Sequence, residues 1–142
     1  MPESSRKQAI NRIIDANLNR AKEGLRVCEE ITRFLLDDRS LTADLKDIRH
    51  KIDIVVRALP GSFFDLLRAR RSLGDVGKEI YGSELIRKDM RDVFFANLQR
   101  VKESIRVLEE FSKLGDTRSA VRFKRIRYEV YELEHKAGRK VK

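Results

Sequence analysis

A second cysteine, an interior supply of prolines and any long apolar run are all missing from this chain. Cys28 stands alone, so no internal disulfide can form, and no His and Cys cluster shows metal-ligand spacing. Both features predict a reducing, cytoplasmic setting. The longest apolar runs, such as Ile54 to Val56, fall far short of the ~20 residues a bilayer span requires. The first residues have no apolar stretch of the kind a secretion signal carries. Of the two prolines one is Pro2, so Pro60 alone interrupts the interior, and a chain with so few breakers is expected to fold as long helices.

What is present is charge. Thirty-two basic residues against 23 acidic give +9, which raises the question of a nucleic-acid partner. Four of those cations, Lys136, Arg139, Lys140 and Lys142, fall in the last eight residues, so the rest of the chain keeps only +5. Residues 137–142 are expected to be a solvated basic tail. Neither nucleic acid nor membrane is expected as a partner, and a homodimer is left open.

Apolar residues at three- and four-residue spacing divide the 142 residues into one all-α domain. Helix one is predicted over 5–36, opened by a Ser5/Gln8 capping box, with Leu18, Ala21, Leu25, Cys28 and Leu35 on one face. After the turn at Asp37 to Ser40, Leu41, Leu45, Ile48, Ile52, Val55 and Leu59 mark helix two, antiparallel to the first because the connection is short. Ser62 is placed to cap a short helix through Arg71, and Gly74, Gly77 and Gly82 punctuate the loop that follows. A third long helix is expected from about Ser83 to Leu114 and a fourth from Thr117 to Lys136. The prediction is a bundle of two long-helix hairpins with a short helix and loop, 60–82, between them.

The two hairpins are copies of one unit. ANLNRAKEGLRVCEE, from Ala16, and ANLQRVKESIRVLEE, from Ala96, agree at ten of fifteen positions with a constant offset of 80. Downstream, Asp47 to His50 align with Arg125 to Tyr128. At 100° per residue, Asn17, Arg20 and Gly24, with their counterparts Asn97, Arg100 and Ser104, lie beside the apolar stripe and can border a cleft, whereas Glu23 and Glu30 lie opposite it. A surface ladder of ion pairs through Arg20, Glu23, Arg26 and Glu30 is the alternative use of these charges.

In the loop, RARRSLGDVG from Arg68 sets three arginines before Gly74 and Gly77. Arginine forks fit phosphate oxygens, glycine lets backbone N–H groups approach an anion, and Asp75 can take Mg²⁺ through one carboxylate. A solvated turn capped by Asp75 fits the same residues. No phosphate-binding loop, dinucleotide fingerprint, nucleophile elbow or zinc motif occurs.

Taken together, IIDANLNRAKEGLRVCEE from Ile13, IRH at Ile48, RxxxxDVG over Arg70 to Gly77, ANLQRVKESIRVLEEF from Ala96 and IRYEVYELE from Ile126 resemble the small all-helical hydroxymethylpyrimidine-phosphate kinases of bacterial thiamine biosynthesis, which occur alone or fused to thiamine-phosphate synthase. The resemblance implies transfer of the ATP γ-phosphate to hydroxymethylpyrimidine phosphate, with Mg²⁺. It implies Arg20, Arg100 and Asp75 as catalytic residues, with Arg49, Arg70 and Arg127 around the phosphates. Asn17 and Asn97 would orient the pyrimidine or a phosphate oxygen and Tyr128 would stack on a ring. Asp75, then Glu23 and Glu103, are the expected metal ligands. The alternative is a non-catalytic helical binding or regulatory module associated with a thiamine biosynthetic enzyme.

Overall fold

The computed structural model describes all 142 residues and contains no strand. Four long helices form the bundle: α1 (Glu3–Glu30), α2 (Arg39–Arg57), α4 (Met90–Ser112) and α5 (Thr117–Lys140), with the short α3 (Phe63–Ala69) between the hairpins. The predicted stripes are the core. Leu18, Ala21, Leu25 and Cys28 of α1 meet Phe94, Leu98, Val101, Ile105 and Leu108 of α4, with Leu45, Ile48 and Ile52 of α2 and Phe123, Ile126 and Val130 of α5 buried alongside.

The central contact is between α1 and α4, the two copies of the repeated helix. The Cys28 thiol donates to the Phe94 carbonyl at 3.3 Å, and a Cβ placed on Gly24 would lie 2.9 Å from the Asn97 carbonyl oxygen and 2.7 Å from Val101 Cγ2. Residue numbers thus rise along α1 as they fall along α4, so the pair is antiparallel, and an approximate twofold axis relates the hairpins. Burial pushes the Cys28 thiol up to about 12, which makes it an inert packing group.

Several boundaries differ from the sequence reading. α1 opens at Glu3, directly after Pro2, with no side-chain cap, so the Ser5/Gln8 box does not form. Its α-helical part stops at Glu30, and Ile31–Leu35 winds as a wider π turn that leaves Leu35 65% exposed rather than on the core face. Thr32 ties that end to α2: its hydroxyl lies 3.1 Å from the Glu29 carbonyl and 2.9 Å from Thr42 Oγ1. The Ser62 cap does form, with Asp65 completing the box, but α3 stops at Ala69. α4 begins at Met90 rather than Ser83. The Asp89 carboxylate accepts from the Asp92 N–H at 2.8 Å and Asp92 in turn accepts from the Lys88 N–H at 3.2 Å, while Gly82–Leu85 is a separate 3₁₀ turn. The expected basic tail is the last turn of α5. Ala137 and Val141 are buried, Lys136 reaches Asp44 at 2.6 Å and Lys140 reaches Asp38 at 3.2 Å.

Asp38 has two tasks, capping α2 through the Leu41 N–H at 2.9 Å and receiving Lys140. The Leu41 hydrogen bond first, then Lys140, hold its carboxyl below the usual carboxylate range. A carboxyl lowered on folding adds stability that is complete above its unfolded value, near pH 4, and is lost as pH falls through the lower folded value. Asp38→Ala is therefore expected to cost about 1 kcal/mol at pH 7. The deficit should shrink toward zero in acid, which urea melts at pH 7 and pH 3 would read.

Candidate functional site

The repeated polar residues separate into those that hold the bundle and those that have nothing to hold. Arg49 and Arg127, expected at the phosphates, belong to the first group. Arg49 Nη2 donates to both carboxylate oxygens of Glu29 at 3.4 and 3.3 Å, and Arg26 reaches the same carboxylate at 3.3 Å. In the second hairpin Arg127 Nε donates to Glu109 at 2.9 Å and its Nη1 donates to the Tyr131 hydroxyl at 2.6 Å. Glu29 and Glu109 occupy one position of the repeat and both are buried. Each hairpin is thus pinned by one carboxylate on its first helix and one guanidinium on its second. The hydrogen bond to Glu109, with that to Tyr131 behind it, raises the Arg127 pKa further. Arg127 is buried and engaged by Glu109 and Tyr131, whereas Arg49 spends only its Nη2, keeps its Nε without a partner and is 24% exposed.

Arg70 is also taken. Its Nε and Nη2 meet the two oxygens of Asp15 at 2.8 Å each, a bidentate pair in which Asp15 is buried, and this bond fastens the segment after α3 to the middle of α1. Arg68 pairs with Asp65 within α3. Asp75 sits on an exposed turn, where its Oδ1 accepts from the Gly77 N–H at 2.9 Å. The solvated, self-capped turn is the form this loop takes. Glu103 accepts from Gln99 at 3.0 Å and Glu23 is exposed. No group of three His, Cys, Asp or Glu side chains is arranged to hold a metal, so Asp75, Glu23 and Glu103 do not assemble into a metal centre. Tyr128 is exposed, edge-on to Tyr131 with ring centres 5.4 Å apart and with the Arg127 guanidinium 5.4 Å from its own ring.

Four expected residues remain. Asn17 and Asn97 each spend their amide on the carbonyl four residues back, Ile13 at 2.9 Å and Val93 at 2.8 Å. Arg20 and Arg100 make no hydrogen bond or ion pair. By helical angle all four fall on the sides of α1 and α4 next to their mutual contact.

The best-formed concavity lies elsewhere, at the end of the bundle, and sequence reasoning missed it. A pocket of about 460 Å³ opens between the start of α1, the end of α2, α3 and the α4/α5 turn. Its wall is apolar, with Ile10, Ile14, Val56, Leu59, Leu66 and Phe111. Arg6 and Lys7 stand on its rim without ion-pair partners, beside Glu3 and beside Asp116, whose carboxylate is engaged by Ser119 at 2.6 Å. Ser112 lines the pocket, is 3% exposed, and its hydroxyl has no partner. The reason is a broken repeat. Ser112 matches Thr32, which bonds Thr42, but where the first hairpin has Thr42 the second has Ala120. The opposite end of the bundle has no counterpart of α3 and forms no such pocket. The signal that was available was this asymmetry: a hydroxyl repeated without its partner, next to the one inserted helix.

Comparison with known proteins adds a family and corrects an activity. The ThiD2 family model matches residues 12–136. Relatives include proteins named thiamine-phosphate synthase from Synechocystis sp. (45% identical, covering 89% of this chain and 35% of the relative), Rhodopirellula baltica (41%, 87% and 33%) and Thermosynechococcus vestitus (40%, 92% and 36%). The chain spans about a third of the length of the curated relatives it matches. No solved structure matches. The thiamine connection of the sequence resemblance is supported. The kinase assignment is overturned, because these relatives are named for the synthase and not for phosphoryl transfer to hydroxymethylpyrimidine phosphate. The phosphotransferase class goes with it. No helix is long and apolar enough to cross a membrane.

Proposed function

Because the chain belongs to the ThiD2 family, we propose that it is a helical ligand-binding module of thiamine-phosphate synthesis that holds a small phosphorylated heterocycle in the pocket at the end of the bundle. The observation that carries this reading is the pocket itself. Its volume suits one small molecule, its wall is apolar enough for a ring, and the buried Ser112 hydroxyl within it has no partner. The names of the relatives supply the ligand class, since thiamine phosphate joins two small heterocycles and carries one phosphate.

Each part of the pocket has a matching part of such a ligand. A ring against Ile10, Leu59 and Leu66 removes apolar surface from water at about 25 cal/mol per Å². The phosphate would sit at the rim, where Arg6 and Lys7 have no carboxylate to give up on binding. The Ser112 hydroxyl is a donor and an acceptor already desolvated, so a ring nitrogen or amine that reaches it gains a hydrogen bond at little further cost.

Calorimetric titration with thiamine phosphate, thiamine and inorganic phosphate tests the reading. Thiamine phosphate is expected to bind, and each of the other two to bind at least tenfold more weakly. Combined Arg6→Ala and Lys7→Ala should weaken thiamine phosphate by about tenfold, or ~1.4 kcal/mol, without changing the melting temperature. Equal affinity for inorganic phosphate, or no loss in the double variant, would sink the pocket assignment.

A further inference from the structure

Within the repeated stretch, three cations recur in both halves, and two of them find a carboxylate each time. Lys22 pairs with Asp53 and Lys102 with Glu134; Arg26 pairs with Glu29 and Arg106 with Glu110. Arg20 and Arg100 are the exception in both copies, although Glu23 and Glu103 lie three residues further along the same helices. The surface-ladder use of these arginines is therefore not realised in either hairpin.

The antiparallel register brings the two together. With Cys28 beside Phe94 and Gly24 beside Asn97 and Val101, Arg20 comes level with about residue 102 of α4. Arg20 and Arg100 are thus offset by only ~3 Å along the axes, on helices whose glycine contact holds them near ~8 Å apart. Both lie on the outer side of the pair, away from α2 and α5, because Lys22 and Glu29 mark the α2 flank of α1 while Lys102 and Glu109 mark the α5 flank of α4. Two flexible guanidinium groups at that separation reach one phosphate or diphosphate between them. By helical angle the half-buried Ile13, Val27 and Val93 fall on the same side of the two helices.

A cover is tethered beside it. Residues 71–88 begin after Arg70, fixed to Asp15 on α1, and end at Asp89, which caps α4 near the Cys28 to Phe94 contact. The anchors are separated by some ~20 Å of α1, whereas a segment of this length can extend to ~60 Å. The segment is therefore long enough to reach the outer side of α1, on which Arg20 falls by helical angle. The segment carries Leu73, Val76, Ile80, Tyr81, Leu85 and Ile86, each at least 65% exposed. That much apolar surface on one connection marks a surface made to be covered.

We propose that the outer α1/α4 groove binds a phosphate or diphosphate group between Arg20 and Arg100, and that residues 71–88 close over it. The site is separate from the end pocket. Pyrophosphate, which has no ring, tests it without depending on that pocket. Trypsin can cut the segment at Arg71, Lys78, Arg87 and Lys88, so cleavage there reports closure. Pyrophosphate is expected to slow cleavage within 71–88 at least tenfold in the full chain, and Arg20→Ala with Arg100→Ala should abolish the slowing while helicity is unchanged. The Arg6 and Lys7 variant should keep it. Cleavage indifferent to pyrophosphate, or slowed equally in the double arginine variant, would overturn the proposal. So would protection that rises with protein concentration alone, which would make a second copy the cover. Replacing Val76, Ile80 and Tyr81 by Ser should leave the segment cleavable with pyrophosphate present; retained protection would show that the apolar residues are not the closing surface.

Discussion

Glu109→Ala is expected to cost about 3–5 kcal/mol, the largest loss from any single change to the charged residues of this protein. Glu109 and Arg127 are both more than nine-tenths buried, so removing the carboxylate leaves a buried guanidinium with no acid bonded to it. Tyr131 stays bonded to it but carries no charge. In a domain of this size the loss corresponds to a fall in melting temperature on the order of 10 °C. The matching change in the first hairpin, Glu29→Ala, should cost less, because the Arg49 side chain is 24% exposed and can turn to solvent. Converting both Glu109 and Arg127 to leucine should recover much of the deficit, since the expense lies in the unpaired charge rather than in losing the pair. Urea melts of the four proteins give the comparison. Equal costs for Glu29→Ala and Glu109→Ala would show that burial of the arginine is not what sets the energy.

Those ion pairs also mark where the sequence stopped being readable. The repeat, the stripes and the all-helical bundle were legible because apolar spacing and repeated identities are local signals, and Leu18, Leu25, Leu98 and Ile105 are buried as their spacing required. The partners of the arginines were not legible. Glu29 and Glu109 are as plainly repeated as Arg49 and Arg127, but the pairs join residues 20 and 18 positions apart across a helical hairpin. Arg70 finds Asp15 across 55 positions. An arginine in a motif reads as free for phosphate until the packing shows what lies opposite. The π turn at Ile31–Leu35 escaped because its residues continue the helical pattern; only the tie between Thr32 and Thr42 distinguishes it. The end pocket escaped for a different reason. Its walls come from three separate stretches of chain, none with a pattern of its own, and α3 contributes by where it packs.

The contact between α1 and α4 sets the last expectation, in which two Gly→Ala changes have opposite signs. Alanine normally stabilises a helix relative to glycine by about 0.8–1 kcal/mol. At Gly138, in the last turns of α5, a new Cβ meets nothing within 4 Å, so Gly138→Ala should show that gain nearly whole. At Gly24 the same methyl would stand 2.9 Å from the Asn97 carbonyl oxygen, a backbone atom that cannot swing aside, and 2.7 Å from Val101 Cγ2. Relief requires moving α1 away from α4 along the most extensive helix contact in the protein, and Ala21, Leu25, Leu98 and Val101 would lose packing with it. Overpacking of this kind costs about 1–3 kcal/mol, enough to outweigh the helix propensity. Gly24→Val adds two further methyl groups at the same place and should exceed the alanine cost. Thermal melts of the three variants decide it: Gly138→Ala above the parent, Gly24→Ala below it and Gly24→Val lowest. If Gly24→Ala melts above the parent, the helices separate without loss, and the close approach that brings Arg20 and Arg100 within reach of one anion is not a fixed feature of the fold.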